Sequence, residues 1–474
     1  MDSVTTIVKP APSWVGRIVD LGPIDQIAPR CYMTDFYCFR LAPGVEPAAV
    51  AERFQKTIFS AVQEIPQLAV TVVPRNNSRE ELELRWLETT GAYLVFKDYT
   101  SPLLKDQWPH GTFDDLAKDH FPYSKLERST LMDGLTRINE QGLLPGLMLQ
   151  VNVIPGGVLF VHSLHHTVCD GMGHYMTNTV LAKYCRDTPD MESVVLPIDF
   201  SDRASIITPD PAASLQDLPD WKLVPPGEEF LNPTHYEVAA LPKLRCAIYY
   251  ISEDRIAKLR ATMSVGGRKP SVIESVGAAL WMHVVRARNI DAKKYPEAKL
   301  SLTVNSRTRM SEPAISPTFW GNLCEPNAVA RMHTAAFSES DTQFLPTAAQ
   351  RIRGAIAAVD APAVRRLVGL LSQLPKATSL TWNVDRWPGP DMLIVCLNSL
   401  PLNDLDFGSM LGNHSEAVRV QIGDIEGRPD GRCIVFPSRK CDGKGLEVML
   451  QYDVDTLGRL EKDRSWGELF ERRN

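Results

Sequence analysis

The chain has 474 residues, of which 44% are hydrophobic and 23% are charged, and its formal net charge is −6 at pH 7. This composition is typical of a globular protein, and the length is sufficient for two domains of ordinary size. The lack of a basic surplus argues against nucleic acid as a partner. No apolar run approaches the roughly 20 residues that span a membrane, so we expect no membrane partner either.

The nine cysteines occur at irregular spacings, and none of them forms a CxxC pair. This pattern argues against a disulfide framework and against a structural zinc site. The N-terminal segment lacks the apolar core of a secretion signal. We therefore expect a cytoplasmic protein with reduced thiols and no bound metal.

The first half of the chain is predicted to begin with a strand, a loop, a helix and a second strand, in "DFYCFRLAPGVEPAAVAERFQKTIFSAVQEIPQLAVTV". One face of this helix is apolar, because hydrophobic residues recur at helical spacing. They are Phe54, Ile58, Ala61, Val62 and Ile65. Further on, "MLQVNVIPGGVLFVHSLHH" alternates and then turns at Pro-Gly-Gly, which predicts a hairpin.

The second strand of this hairpin delivers His165 and His166, and Asp170-Gly171 follows just before a predicted helix. Loops held between rigid elements often carry functional groups. A histidine suits proton transfer near neutral pH, since its unperturbed pKa is about 6.5. The HHxxxDG pattern at this strand–turn–helix junction therefore predicts a catalytic histidine.

Two other roles for this segment are weaker. A zinc site would draw on His162, His165, His166 and His174, but strand alternation places His165 opposite the other two strand histidines, and no further ligands are evident. Cys169 could act as a nucleophile beside His166, but it sits in a tight turn only three residues away. We expect neither role.

Between residues 188 and 242 the chain is rich in proline and aspartate and shows no clear periodicity. We interpret this segment as a crossing linker that Trp221 and Phe230 could dock onto the surface. The second half then repeats the αβ plan, with a strand leading to Ser252 as a helix N-cap, a second helix, and a late strand–helix pair. The predicted domains are residues 1–187 and 243–474.

The HHxxxDG segment and four other segments resemble those of a known family. "HHTVCDG" resembles the HxxxDG signature of CoA-dependent acyltransferases of the BAHD type, and the surrounding segment is especially similar to fungal members such as the trichothecene 3-O-acetyltransferases. Four other segments agree in order along nearly the whole chain. They are Leu21 to Phe39, the helix that carries Trp281, the paired arginines and Gly-Asn within Leu302 to Asn322, and "LDFG" from Leu405 to Gly408.

The resemblance implies an α/β fold of two chloramphenicol-acetyltransferase-like domains, each a mixed sheet flanked by helices, with an active-site tunnel between them. In that family His166 would be the general base for the acceptor hydroxyl. Asp170 would point away from the substrate and pair with Arg307, which would hold the loop. Gly171 would allow the sharp turn into the helix, and His165 would pack or make a backbone hydrogen bond.

Asp406 and Gly408 would shape the CoA side of the tunnel far from the base, but this chain continues "SMLGNHS" where the family has "WG". The chain also has Cys396 and Leu397 where the family often has Ser and Trp near the thioester oxygen. Asn398 or Ser399 could then supply the oxyanion donor. Arg309 is a weak candidate for binding CoA.

The function implied is acyl transfer from acyl-CoA, with acetyl-CoA favoured, to a hydroxyl of a small secondary metabolite by a monomer without a resident cofactor. Two alternatives stay open. One is a condensation-type enzyme of the same superfamily that uses carrier-protein thioesters. The other is a repurposed member that binds a metabolite or catalyses a cyclisation, for which the altered "DFGSML" and "VCLNSL" segments are the motive.

Overall fold

The computed structural model describes residues 2–76, 78–187, 197–224, 242–420 and 430–474. The strands within these ranges are β1 Ser3–Val8, β2 Ile18–Val19, β3 Tyr32–Arg40, β4 Thr71–Pro74, β5 Leu82–Arg85, β6 Ala92–Asp98, β7 Leu147–Ile154, β8 Gly157–His165, β9 Trp221–Leu223, β10 Leu244–Ile251, β11 Glu297–Asn305, β12 Cys324–His333, β13 Leu380–Trp382, β14 Met392–Cys396, β15 Ala417–Val420, β16 Arg432–Pro437, β17 Leu446–Asp453 and β18 Glu471–Arg472. The helices are α1 Pro23–Ile27, α2 Pro47–Glu64, α3 Phe113–Lys118, α4 Arg128–Leu131, α5 Asp133–Glu140, α6 Gly171–Cys185, α7 Glu253–Thr262, α8 Val272–Arg288, α9 Asp341–Ala358, α10 Ala361–Gln373, α11 Val454–Leu460 and α12 Arg464–Leu469.

The first large sheet has the order β1-β6-β7-β8-β3-β15, and only β6 and β7 run parallel. Its central strands β7 and β8 are buried along their whole length. They are buried on both faces because α2 and α6 pack against one side and α3 to α5 against the other. This explains why their sequences are apolar with few interruptions.

The second large sheet has the order β12-β11-β14-β16-β17-β10-β18, with parallel pairs at β11–β14 and β14–β16. Helices α7, α8, α9 and α11 cover one face and form a second core with it. The expected mixed α/β architecture of sheets flanked by helices is therefore confirmed. None of the helices in the described ranges is long and apolar enough to cross a membrane.

The two sheets are joined by a strand and by an ion pair. Strand β15 lies late in the sequence, yet it pairs with β3 at the edge of the first sheet. Arg419 in β15 donates to both carboxylate oxygens of Glu447 in β17, at 2.8 and 3.2 Å. Both side chains are essentially inaccessible to water, and Arg419 also donates to the carbonyls of His120 and Phe121.

Most predicted elements are confirmed. The predicted helix is α2, with Phe54, Ile58, Ala61 and Val62 buried. The hairpin is β7 and β8, although its turn is shorter than expected because Gly157 already belongs to β8. Ser252 caps α7 by accepting a hydrogen bond from the backbone of Arg255, and α8 and β17–α11 occur where predicted.

Residues 197–224 of the predicted linker contain a short strand that the sequence pattern did not indicate, and Trp221 docks this segment as expected. Strand β9 pairs antiparallel with β13, and Trp221 is buried in an apolar cluster with residues of α10. Partners distant in sequence create this strand, so local periodicity could not indicate it. The predicted docking residue Phe230 lies outside the described residues, and the domain boundaries stay a prediction.

We expect Glu447→Gln to lower the free energy of unfolding by about 3–5 kcal/mol, because it leaves the buried Arg419 charge without its partner. Urea denaturation measures this change. The matched control is Glu468→Gln, which breaks an exposed pair with Arg464 and should leave the unfolding midpoint within error. Equal effects of the two substitutions would contradict a structural role for the buried pair.

Candidate active site

The HHxxxDG segment is held by backbone hydrogen bonds from several elements. The N–H of His165 donates to the carbonyl of Gly146 at 2.9 Å, and that of His166 donates to the carbonyl of Cys31 at 2.8 Å. A further bond from Val168 to the carbonyl of His165, at 2.9 Å, closes the turn. The position of His166 is thus fixed by its main chain before any side chain contributes.

His166 directly follows β8 and is half-buried. Its Nδ1 atom is buried and has no hydrogen-bond partner in the part of the chain that the structure describes. Burial lowers the pKa of His166, although its own carbonyl and the Asp170 carboxylate oppose this shift. The imidazole is therefore neutral at pH 7 and can accept a proton.

Asp170 and Arg307 meet in a buried, two-pronged ion pair. Nη1 and Nη2 of Arg307 donate to the two carboxylate oxygens of Asp170 at 2.7 and 2.9 Å. Asp170 is also the N-cap of α6, accepting from the N–H groups of Met172 and Gly173, and it accepts from the N–H of Leu323. The carboxylate therefore has its hydrogen-bonding capacity taken up by the scaffold.

The ion pair stays charged inside the protein. Burial raises the pKa of Asp170, but Arg307 and backbone N–H groups outweigh burial, so the net pKa lies below its ordinary value. Arg307 itself is fully buried, and it donates further to the carbonyls of Phe319 and Gly321. This network fastens the His166 loop to the segment that follows β11.

Asn322 is a site residue to which the sequence interpretation assigned no role. Its side-chain N–H₂ group donates to the carbonyl of His166 and to Asp25, both at 2.9 Å. Its own N–H also donates to Asp25, at 2.9 Å. The Gly-Asn pair after the paired arginines was the available signal, but the sequence did not indicate what Asn322 contacts.

Arg203 is the second such residue, and it comes from the segment interpreted as a linker. It donates to the carbonyls of Val168 and Trp320 at 2.7 and 2.8 Å, and it lies 3.4 Å from Asp25. It therefore connects the motif loop to the segment after β11. No local pattern in the sequence indicates this, because all of its contacts are distant along the chain.

The conformational role expected for Gly171 is wrong. Gly171 is the first residue of α6, and its φ is not positive. A Cβ added at this position would meet nothing within 4 Å. Gly173 is the position that needs glycine, because a Cβ would lie 2.5 Å from the Cβ of Cys169. Open space beside Gly171 is instead a property of the site.

His165 and Cys169, which lie near His166 in the sequence, contribute to the structure of the loop. His165 accepts from the N–H of Thr167 at 3.2 Å and contacts Tyr32 edge-to-face, as expected. Cys169 is buried, and burial and Asp170 raise its pKa well above the ordinary value, so it is a protonated thiol. Among the described residues, no three His, Cys, Asp or Glu side chains are arranged to hold a metal ion.

Asp406 and Gly408 support the far end of α6. Asp406 accepts a hydrogen bond from the N–H of Gly408 at 2.9 Å. Gly408 has a φ of +93°, and a Cβ added to it would lie only 2.9 Å from the Cα of Arg186. Ser409 donates to Asp187 from its N–H and its hydroxyl. Because α6 is about 20 Å long, these residues are well separated from Asp170 at its other end.

The remaining predicted residues are not brought together with His166 by any contact among the described residues. Asn398 and Ser399 form a turn after β14 and are half-buried and exposed, respectively. Arg309 donates from Nη1 to the carbonyls of Ile356 and Val359 at the end of α9. Its Nη1 atom is thus engaged in the fold.

Comparisons with known proteins identify the family and the proteins that share the fold. Residues 119–466 match the Transferase family, and residues 31–185 match the trichothecene 3-O-acetyltransferase-like N-terminal domain. The acyltransferase easC of Emericella nidulans is 26% identical over 464 residues, covering 95% of this chain and 94% of easC. The eremophilane O-acetyltransferase prx11 of Penicillium rubens is 24% identical over 471 residues, covering 93% and 95%.

Solved structures share the fold. That of F. graminearum TRI101 complexed with coenzyme A and T-2 mycotoxin superposes with a TM-score of 0.78 at 16% identity, covering 97% of this chain and 100% of that chain. Vinorine synthase superposes with a TM-score of 0.65 at 16% identity, covering 99% and 98%. The family match spans most of the sequence, and the ordered motifs agree with it. The chain therefore belongs to the Transferase family of BAHD-type acyltransferases, and its residues 31–185 are similar to the trichothecene 3-O-acetyltransferase-like N-terminal domain.

Proposed function

We propose that this protein transfers an acyl group, preferentially acetyl, from acyl-CoA to a hydroxyl of a small secondary metabolite, with His166 as general base. The observation that carries the proposal is a half-buried His166 held by main-chain bonds beside the Asp170–Arg307 pair, and burial lowers the pKa of its imidazole. Related proteins named O-acetyltransferases and a similar fold solved with coenzyme A support the same reaction.

The chemistry needs one proton acceptor and one ordered site. With Nδ1 buried, Nε2 is the nitrogen left to accept the proton of the acceptor hydroxyl while its oxygen attacks the thioester carbonyl carbon. The tetrahedral intermediate then collapses, the C–S bond breaks, and the proton passes from His166 to the CoA sulfur. Asn398 or Ser399 remains the proposed donor to the oxyanion, and Arg309 a proposed contact for CoA.

Asp170 and Arg307 act on this chemistry by position. Asp170 belongs to the first half of the chain and Arg307 to the second, so the pair fixes the His166 loop where the two halves meet. Asn322 adds a bond to the carbonyl of His166 itself. We propose a two-domain monomer, located in the cytoplasm, with a tunnel between its domains that admits CoA and acceptor.

We expect His166→Ala to lower the rate of acetyl transfer from acetyl-CoA at least 100-fold, because a positioned general base contributes about 10² to 10⁴. The assay is a screen of hydroxylated terpenoids, alkaloids and polyketides. His333→Ala, at an exposed histidine, is the matched control and should retain full activity. Retained turnover in His166→Ala would refute the assignment of the base.

Two other outcomes would favour the alternative functions. Acyl transfer only from a carrier-bound thioester would favour the condensation-type enzyme. A lack of CoA binding at millimolar concentration would favour the repurposed member.

The dependence of kcat/KM on pH should show an acid limb below pH 6.5. His166 is active when neutral, and burial lowers its pKa, so activity is full at neutral pH and falls as the pH drops through that lowered value. A limb centred above pH 6.5 would contradict the neutral base. The measurement is a pH series with acetyl-CoA and any acceptor found in the screen.

We expect Asp170→Asn to lower the free energy of unfolding by about 3–5 kcal/mol, because it leaves Arg307 buried without a counter-charge. Acetyl transfer should fall as well, since the His166 loop loses its anchor. Because the pKa of Asp170 is lowered in the fold, its contribution is present at neutral pH and lost in acid, so the difference between the proteins should shrink as the pH falls toward 3. Asp341→Asn, in the half-exposed pair with Arg286 at the same 2.7 Å, is the control and should change stability little.

A further inference from the structure

A buried polar cluster lies between β3, β8 and α6, and the proposed chemistry does not use it. Its members are Asp35, Tyr37, His162, His174 and Asn178, each at most 5% exposed. Asp35 and Tyr37 lie on one face of β3, and Asp35 is directly opposite His162 of β8. Five polar side chains at one place in an otherwise apolar core require a physical explanation.

Three of these side chains form a chain of close contacts. Nε2 of His174 lies 2.8 Å from Oδ2 of Asp35 and 2.9 Å from Nδ1 of His162. Since a carboxylate oxygen can only accept, the proton belongs on Nε2 of His174, between the two acceptors. In the neutral form His174 then has a free acceptor at Nδ1, and His162 has a free donor at Nε2.

The cluster leaves several polar atoms without a partner. They are Tyr37 Oη, His162 Nε2, His174 Nδ1, and Nδ2 and Oδ1 of Asn178. An unpaired buried polar group lowers the stability of a folded protein, so these atoms are not explained by a contribution to the packed core. Together they offer both hydrogen-bond donors and hydrogen-bond acceptors. They could therefore bind a hydroxyl, which donates and accepts, or a ketone, which only accepts.

The location of these atoms connects them with His166. His174 and Asn178 lie one helical turn apart on α6. Gly171, which has open space beside it, lies on the same face at the start of the helix. From Gly171 to Asn178 the helix rises about 10 Å, which is the dimension of a small polycyclic metabolite. His162 of the cluster lies in β8, four residues before His166, so the cluster and the base are about 13 Å apart along the strand.

We propose that this polar cluster is the subsite that binds a second oxygen function of the acceptor, a hydroxyl or ketone remote from the hydroxyl that is acylated. The proposal rests on the proposed function, because His166 defines where the first hydroxyl lies. It narrows the acceptor class to compounds with at least two oxygen functions, and it makes His162, His174, Asn178 and Tyr37 determinants of specificity.

Binding of matched ligands tests this proposal without relying on acyl transfer. The probes are 1-decalol and the decalindiols that add one hydroxyl at each other ring carbon, titrated calorimetrically into the full chain saturated with CoA. At least one diol should bind about tenfold more tightly than 1-decalol, as a well-formed buried hydrogen bond allows. Asn178→Leu should abolish this preference and leave the affinity for 1-decalol unchanged.

Tyr37→Phe removes one hydroxyl at nearly constant volume and serves where Asn178→Leu does not fold, with an expected loss of at least threefold in the preference. Asn139→Leu is the matched control, because Asn139 also has a buried unpartnered amide oxygen but lies on α5, across the first sheet. It should retain the full preference.

Equal or absent binding of all diols and 1-decalol would overturn the proposal and leave the cluster as a site for water alone. A preference that survives the substitutions at both Asn178 and Tyr37 would overturn it as well. A preference that depends on these residues, in a protein that transfers no acetyl group, would support the subsite and refute only the proposed transfer reaction.

Discussion

The ion pair of Asp170 with Arg307 is the interaction on which the rest of the site depends. It joins residues 137 positions apart in the sequence, and both partners are withdrawn from water. A buried ion pair is weak support for stability in itself, since desolvation opposes the attraction. Its value here is positional, because each oxygen of Asp170 also serves the start of α6 or the backbone after β11, so that movement of one element strains the others.

Helix α6 conveys this constraint through the first core. Asp170 caps its beginning, while Asp187, Ser409 and the close backbone approach at Gly408 hold its end. Between these ends the helix packs against the sheet through apolar residues and through His174 and Asn178. A helix fixed at both ends can keep unsatisfied polar groups in place, which a ligand then finds already oriented.

The sequence predicted those features that depend on neighbours along the chain. The apolar face of α2, the β7–β8 hairpin and the Ser252 cap follow from spacing and local hydrogen bonding, and all occur. Strand β9 and the role of Arg203 could not be predicted, because a three-residue strand and a single arginine acquire their meaning from partners far away. The expectation for Gly171 failed because the order of residues does not reveal which glycine of the motif lies against a neighbouring side chain.

By itself the sequence determined the family, the mixed α/β class and the candidate base, since the ordered motifs and the strand–turn–helix pattern are local properties of the chain. Only the tertiary structure decided that Asp170, besides pairing with Arg307 as the resemblance implied, also accepts a hydrogen bond from the backbone of Leu323. It likewise decided that Asn322 and Arg203 complete the support of the loop that carries His166. It also decided that the histidine pair with Asp35 leaves polar atoms unpartnered. The physical reason is that hydrogen bonds, burial and the pKa values they set depend on distances between residues that the order of the sequence does not contain.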